Sequence, residues 1–461
     1  MRVGPRSGRA RPGAVAAPDT RRQILALAVP AFLALVAEPL FLLADSAIVG
    51  HLGTTQLAGL GIASAVLGSV VSLCVFLAYG TTAEVARRIG AGDPTGAVRR
   101  GLDGTWLAVL VGLAVSAVGV PAAGVVVGWF GAGPAVADSA TTYLRIALLG
   151  AAPLLVMLAT TGVLRGFQDT RTPLVVAVVG NALNVVLNLL LVYGVGSWSG
   201  LGIAGSALGT LVAQVASALA LTAVVVRGAR RHDVGLRLDP AGVRASARAG
   251  VPLLLRTLTL RISLLLMTVG AARLDHHVGG SARLATMQLA LTLWTFLAFV
   301  LDAIAIAAQA LTGKHLGAGD VGTTRAVTAQ MQRWGLGSGV LSGLLLAGLS
   351  PVLGPLFTDD PEVHRLLVPV LLVAALVQPL AGVVFVLDGV LIGAGDGRYL
   401  AWAGFVVLLV FAPAALLAVH TGSLTALWVA FGVAFMGGRA VVLLARARGD
   451  AWLRTGPTLA R

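Results

Sequence analysis

Charge is scarce in this chain: only 11% of its 461 residues are Asp, Glu, Lys or Arg, against about 25% in soluble proteins. An ordinary soluble domain is thereby excluded. Cysteine is scarcer still. The single Cys74 lies inside an apolar run, so no disulfide can close within the chain and the thiol reads as a small buried side chain. Chemical signatures are missing too, with no GxxxxGK[ST] loop, no HExxH and no zinc-ligand spacing. Their absence argues against ATP as an energy source, and no nucleophile set marks an enzyme. No cofactor and no metal site is expected.

What the chain has is apolar length. Hydrophobic residues make up 57% of it and the mean hydropathy is +0.92. Runs of 20 or more apolar residues recur along nearly the whole sequence, each long enough for a hydrocarbon core about 30 Å thick. They are continuous, whereas membrane barrel strands alternate polar and apolar residues over about ten positions. Twelve helical spans are expected, at 24–49, 56–83, 104–130, 139–164, 172–194, 202–226, 250–272, 283–310, 335–357, 366–393, 399–420 and 423–444.

The net charge of +14 suggests nucleic acid, but the arginines gather in particular short loops and form no single basic face. Residues 1–23 hold six arginines, the loop after the second span holds four (Arg87, Arg88, Arg99, Arg100), and 227–248 holds six. The loops at 131–138, 195–201 and 420–422 hold none. By the positive-inside rule the even-numbered loops and both termini are cytoplasmic in a plasma-membrane protein, with Arg273 and Arg283 as exceptions.

The chain repeats itself at an offset of 227 residues: Gly90-Ala91-Gly92-Asp93 recurs as Gly317-Ala318-Gly319-Asp320. Gly162-Val163-Leu164, with Gly166, Asp169 and Arg171, recurs as Gly389-Val390-Leu391, with Gly393, Asp396 and Arg398. Each half carries six spans, an even number, so both insert with the same orientation. The expected fold is an all-α polytopic membrane protein with twelve transmembrane helices in two parallel six-helix bundles related by pseudo-two-fold symmetry. The expected parts are a disordered tail at 1–22, a six-helix lobe at 23–226, a linker at 227–249, a second lobe at 250–446 and a tail at 447–461.

Asp45 stands inside the first span, where an ionised acid costs roughly 2.5–3.5 kcal/mol on insertion scales. Near the end of its helix it can be a bland interfacial carboxylate. Against that, Glu38 lies seven residues earlier on the same face, and Pro30 and Pro39 provide places for the helix to bend. Burial disfavours the charged form of an acid, which suits a group that takes up a proton on one side and releases it on the other. The fifth span carries Asn181, Asn184 and Asn188 on one face. They read either as interhelical hydrogen bonds that hold the bundle or as a polar wall opposite Asp45, with Thr210 joining it.

The second half has Met267 where a 222-residue offset places the Asp45 equivalent, so coupling should be asymmetric between lobes. It keeps Asp302, Asp388 and Arg256, with Arg256 reading equally as a structural ion pair or a substrate contact, and Arg261 is as ambiguous. Gln309 and Lys314 read as positioning residues, and His51, His276 and His277 as exposed loop histidines.

Residues 38–53, EPLFLLADSAIVGHLG, resemble the first helix of the multidrug and toxic compound extrusion transporters, in their DNA-damage-inducible DinF-like branch. VGNALNVVLN at 179–188, LDAIAIAAQALTGKHLGAGD at 301–320 and LDGVLIGAGD at 387–396 resemble that family's fifth, eighth and tenth helices, and the likeness runs in order from about 22 to 445. The resemblance implies a twelve-helix antiporter that exports organic, often cationic compounds in exchange for protons or sodium. It implies that Asp45 is the coupling acid and that Asn184 and Thr210 are its polar partners. At Asn188 the branch usually has an aspartate, and at Gln309 related proteins can carry a glutamate. The first departure removes one acid, favours protons over sodium and leaves Asp45 as carrier.

The function expected is therefore export of amphipathic, cationic small molecules by alternating access. Sodium coupling or a lipid-linked oligosaccharide flippase are the alternatives, the flippase needing a basic cavity. The expected partners are a small-molecule substrate, a proton or sodium ion and the lipid bilayer, with no nucleic acid, and the expected state is a monomer.

Overall fold

The computed structural model describes residues 17–276 and 281–458, almost all of them helical. The first half contains α1 (Ala17–Gly50), α2 (Thr54–Cys74), α3 (Phe76–Gly90), α4 (Pro94–Gly128), α5 (Pro134–Leu149), α6 (Ala151–Gly166), α7 (Arg171–Tyr193) and α8 (Ile203–Arg231). The second contains α9 (Pro240–His276), α10 (Ala282–Gly317), α11 (Val321–Phe357), α12 (Pro361–Gly393), α13 (Gly397–His420) and α14 (Leu424–Ala430). A π-helical turn, Phe431–Gly437, then leads into α15 (Gly438–Arg448).

Eleven helices among the described residues are long and apolar enough to cross a membrane, α2 with α3 counting as one. The pair α5 and α6, bent by 49°, makes the twelfth. The bend has a covalent origin. Pro153 has no amide to give Leu149, and Gly150 closes the preceding turn with a tight bond to Ala147 O at 2.9 Å. The expected spans are all present, but several helices outrun them on the side that carries the arginine-rich loops: α4 begins at Pro94 and α10 continues to Gly317. Once charged residues can reach water, helix propensity continues an element past the end of its apolar stretch. Of the 227–249 segment read as a linker, only 232–239 is non-helical, because α8 runs to Arg231 and α9 starts at Pro240. The tail read at 1–22 and His277 fall largely or wholly outside the described residues, although α1 already begins at Ala17.

Four hairpins on the arginine-rich face share one design. Gly92, Gln168, Gly319 and Gly395 each adopt a positive φ between 65° and 77°. The aspartate that follows each of them returns its amide to a carbonyl five residues earlier, at 2.8–2.9 Å, the bond that closes a helix with a left-handed residue. The same aspartate opens the next helix: Asp93 accepts from Gly96 N at 2.8 Å and Asp320 from Thr323 N at 2.8 Å. The repeat seen in the sequence is thus a repeat of this turn.

The two lobes meet along the arginine-rich half of the molecule. At Gly90 a Cβ would lie 1.8 Å from Lys314 O, and at its repeat partner Gly317 one would lie 1.9 Å from Arg87 O. Only glycine lets α3 and α10 approach so closely. Ala31, Phe32 and Leu35 of α1 pack on Ala303 and Ile306 of α10, and Gln309 donates to Tyr79 O at 2.6 Å. Lys314 reaches Gln168 at 3.0 Å, so both residues read as positioning groups do hold the lobes together. The arginine-rich side of the interlobe cleft is closed.

Candidate functional site

Asp45 is buried within the first lobe, 3% exposed. Its carboxylate accepts from three neutral donors: Asn188 Nδ2 at 2.7 Å and Ser206 Oγ at 2.6 Å on Oδ1, and Tyr143 OH at 3.3 Å on Oδ2. Asn184 Nδ2 donates to Thr210 Oγ1 at 2.9 Å beside them. Asn188 Oδ1 and Asn184 Oδ1 are buried without a partner.

Backbone economy places these groups. Gly209 lies where a Cβ would stand 2.1 Å from Asn188 Oδ1, and Gly205 where one would stand 2.3 Å from Leu191 O, so α8 can close on α7. Helix α7 grips α1 at three levels: Asn181 Nδ2 to Ala37 O at 3.1 Å, Asn188 to Asp45, and Tyr193 OH to Ile48 O at 2.6 Å. Pro30 and Pro39 both lie inside α1, which remains one helix through them. Pro30 removes the donor owed to Ala26 O, and Thr170 Oγ1 supplies one at 3.3 Å. Glu38 is exposed, one turn beyond Leu35, which packs on α10, so it continues the interlobe face of α1.

No ion pair reaches Asp45 among the described residues, whereas the second lobe's acid has two. Asp388 of α12, 6% exposed, is held by Arg256 of α9, with Nε at 3.2 Å from Oδ1 and Nη2 on Oδ2. Arg439 of α15 donates to Oδ2 as well and lies over the rings of Phe385 and Phe435 at 5.7 and 5.6 Å. Arg256 is therefore a partner of Asp388. Asp302 of α10 makes no ion pair or hydrogen bond among the described residues, but feels the charges of Arg256, Asp388, Arg439 and Arg165. Arg165 of α6 and Tyr79 of α3, in the first lobe, lie within electrostatic reach of it. Arg261 donates to Ser72 Oγ across the lobes.

Sequence reasoning brought together Asp45, Asn184, Asn188 and Thr210, as the structure does. It missed Tyr143, Ser206, Arg165 and Arg439. For both arginines a signal existed, since each stands at or within an apolar span where a cation needs a reason. His51 is exposed and bonds only to Ala47 O, at 2.7 Å.

Two helical lobes of membrane-spanning length built on one repeat, each with a buried polar centre, are the architecture of a membrane transporter. The MatE family model matches residues 30–190 and 252–417. The chain belongs to this family, the multidrug and toxic compound extrusion proteins, which are transporters and not enzymes. Among its relatives, the chain is 31% identical over 434 residues to protein DETOXIFICATION 44, chloroplastic, of Arabidopsis thaliana, covering 88% of this chain and 78% of that one. It is 29% identical to DNA damage-inducible protein F of Escherichia coli over 408 residues, 84% of this chain and 85% of that one. In fold it is similar to a multidrug resistance MATE transporter of the MOP superfamily solved in an outward-facing conformation, with TM-score 0.84, 23% identity and coverage of 95% and 97%. It is also similar to a MOP superfamily transporter from Pyrococcus furiosus described as having a binding pocket of reverse polarity, with TM-score 0.83, 22% identity and coverage of 94% and 97%.

Proposed function

We propose that this MATE protein is a secondary active antiporter that exports amphipathic organic compounds in exchange for protons, with Asp45 carrying the proton. The observation that supports this most is the company Asp45 keeps. A buried carboxylate costs several kcal/mol unless its charge is balanced, and three neutral donors solvate it without balancing it. A proton supplies the balance.

A protonated Asp45 becomes a donor itself, and the free oxygens of Asn188 and Asn184 are the acceptors at hand. Taking up that bond turns an asparagine amide and loosens the middle of the three contacts between α7 and α1. Proton uptake is thereby linked to the position of a helix that also lines the interlobe face through Glu38. Alternating access follows if the cleft, closed here on the arginine-rich side, opens there after the site has been loaded from the other. The arginine-rich side, with both termini, is taken as the cytoplasmic side of the cell membrane, and a monomer suffices because one chain supplies both lobes. Asn181, Asn184, Asn188, Thr210 and Glu38 shape the first lobe's side of the path. Sodium is the alternative ion, bound by Asp45 and the two amide oxygens. One carboxylate in place of two makes that the weaker reading.

A cationic cargo, which the resemblance implies, has Glu38 to meet it. The second lobe favours a different cargo. Arg256, Arg261 and Arg439 there, with Arg165 of the first lobe, outnumber Asp302 and Asp388, and such a surplus suits a compound bearing a carboxylate or phosphate, as a lipid-linked sugar does.

Everted vesicles with an imposed pH gradient test both points. Cargo-stimulated proton movement is expected with the intact chain and is expected to vanish in Asp45→Asn, with the folded fraction unchanged. Normal coupling in Asp45→Asn, or coupling driven by sodium alone, overturns the assignment. A panel of cationic and anionic cargoes in the same vesicles decides the charge.

A further inference from the structure

After α15, residues 449–458 stay against the molecule. Residues 449–458 cross the arginine-rich mouth of the interlobe cleft as a strap. Trp452 is 2% exposed and joins the apolar core of the second lobe. Gly456, at φ 111°, donates its amide to Leu316 O at the end of α10, at 3.1 Å. Asp450 pairs with Arg325 of α11.

The catch is Arg87, a first-lobe residue in the last turn of α3 and 0% exposed. It has no acid partner among the described residues. Its donors go to three carbonyls on the other side of the interface: Nη1 to Ala394 O at the end of α12 at 3.0 Å, Nε to Gly456 O at 3.3 Å, and Nη2 to Arg454 O. Two of the three belong to the strap. A buried guanidinium cannot lose them without finding water. Arg87 stands in α3 beside the Gly90–Gly317 contact and holds Ala394 and the strap from across the interface, so parting the lobes here carries it away from all three carbonyls. Opening on this side therefore breaks its hold on the strap.

We propose that residues 449–458 are a latch on the arginine-rich gate of this transporter, with Arg87 as its catch. The closed state seen here is held by the docked strap, and opening toward that face requires undocking. This concerns the gate and does not depend on which ion or cargo is used.

The test labels two repeat-related exposed sites, Arg171 of the first lobe and Arg398 of the second, with spin labels. They are introduced as Arg171→Cys and Arg398→Cys in a Cys74→Ala chain, and the interlobe distance is measured by pulsed electron resonance in lipid vesicles. The intact chain should show mainly one short distance. Ending the chain after Arg448, or removing the strap's anchoring amide with Gly456→Pro, should raise the population at longer distance about tenfold or more, a factor that losing a single hydrogen bond of about 1.4 kcal/mol from one of two states supplies. Unchanged distances in the shortened chain overturn the proposal. Should that chain fail to fold, Gly456→Pro decides alone, because it changes the strap and no residue of a lobe helix, and an unchanged distribution there overturns the proposal equally.

Discussion

The first lobe packs its buried apolar residues in three separate clusters, at the arginine-poor end, the middle and the arginine-rich end. The second packs nearly all of its own in one continuous core around Trp294, Trp428, Phe411 and Phe431. The repeat explains the contrast. At the 227-residue offset, Asn184 and Asn188 correspond to Phe411 and Ala415, both buried, and Tyr143 corresponds to Val370. Where the second lobe has filled its centre with carbon, the first has kept an acid and its donors. Both lobes bury a carboxylate, yet they treat it oppositely: Asp388 is fixed between two guanidinium groups, while Asp45 is solvated by neutral groups that can rearrange. Duplication has left the two lobes with differently partnered acids, Asp388 in an ion-pair network and Asp45 among neutral donors.

The largest effect that would sharpen this contrast is on stability. Asp388→Ala leaves Arg256 and Arg439 buried without a counter-charge and should cost about 3–5 kcal/mol. Asp45→Asn loses no ion pair and should cost about 1 kcal/mol or less. Thermal unfolding in detergent measures both, and equal losses would erase the distinction between a structural acid and a functional one.

A smaller effect tests where the lobes are alike. Asp93→Ala and Asp320→Ala each remove a helix cap and should each cost about 1 kcal/mol. The Gly96 amide, then Arg88 at 2.7 Å, holds the Asp93 carboxyl below the usual carboxylate range, and the hydroxyl and amide of Thr323 do the same for Asp320. A carboxyl depressed in the folded state stabilises above its ordinary value near 4 and stops doing so as pH falls through the lowered one. Acid should thus remove the caps' contribution from both hairpins. Unfolding midpoints at pH 7 and pH 3 for each variant check this. A pH-independent loss would show that the aspartates act only through shape.

Much of the architecture was legible because it is periodic. Apolar runs and the doubled Gly-Ala-Gly-Asp turn marked the spans and the duplication, and the asparagine stripe pointed at Asp45 through simple helical spacing. What stayed hidden depends on contacts between distant segments. Ser206 and Tyr143 are ordinary in an apolar helix, and nothing in their spacing ties them to α1. The π-helical turn at Phe431–Gly437 changes which face of α15 turns inward, which lets Arg439 reach Asp388. The 449–458 strap carries no apolar run and read as part of a tail. Its docking rests on backbone carbonyls offered to Arg87, which no side-chain pattern reveals.

The central claim, that the first lobe's acid carries the coupling proton and the second lobe's does not, can be read from the carboxyl groups themselves. Infrared difference spectra recorded as cargo is added should show a protonated-carboxyl band. It should persist in Asp388→Asn and disappear in Asp45→Asn. A band that survives Asp45→Asn, or that is lost with Asp388→Asn in a folded protein, would contradict the account.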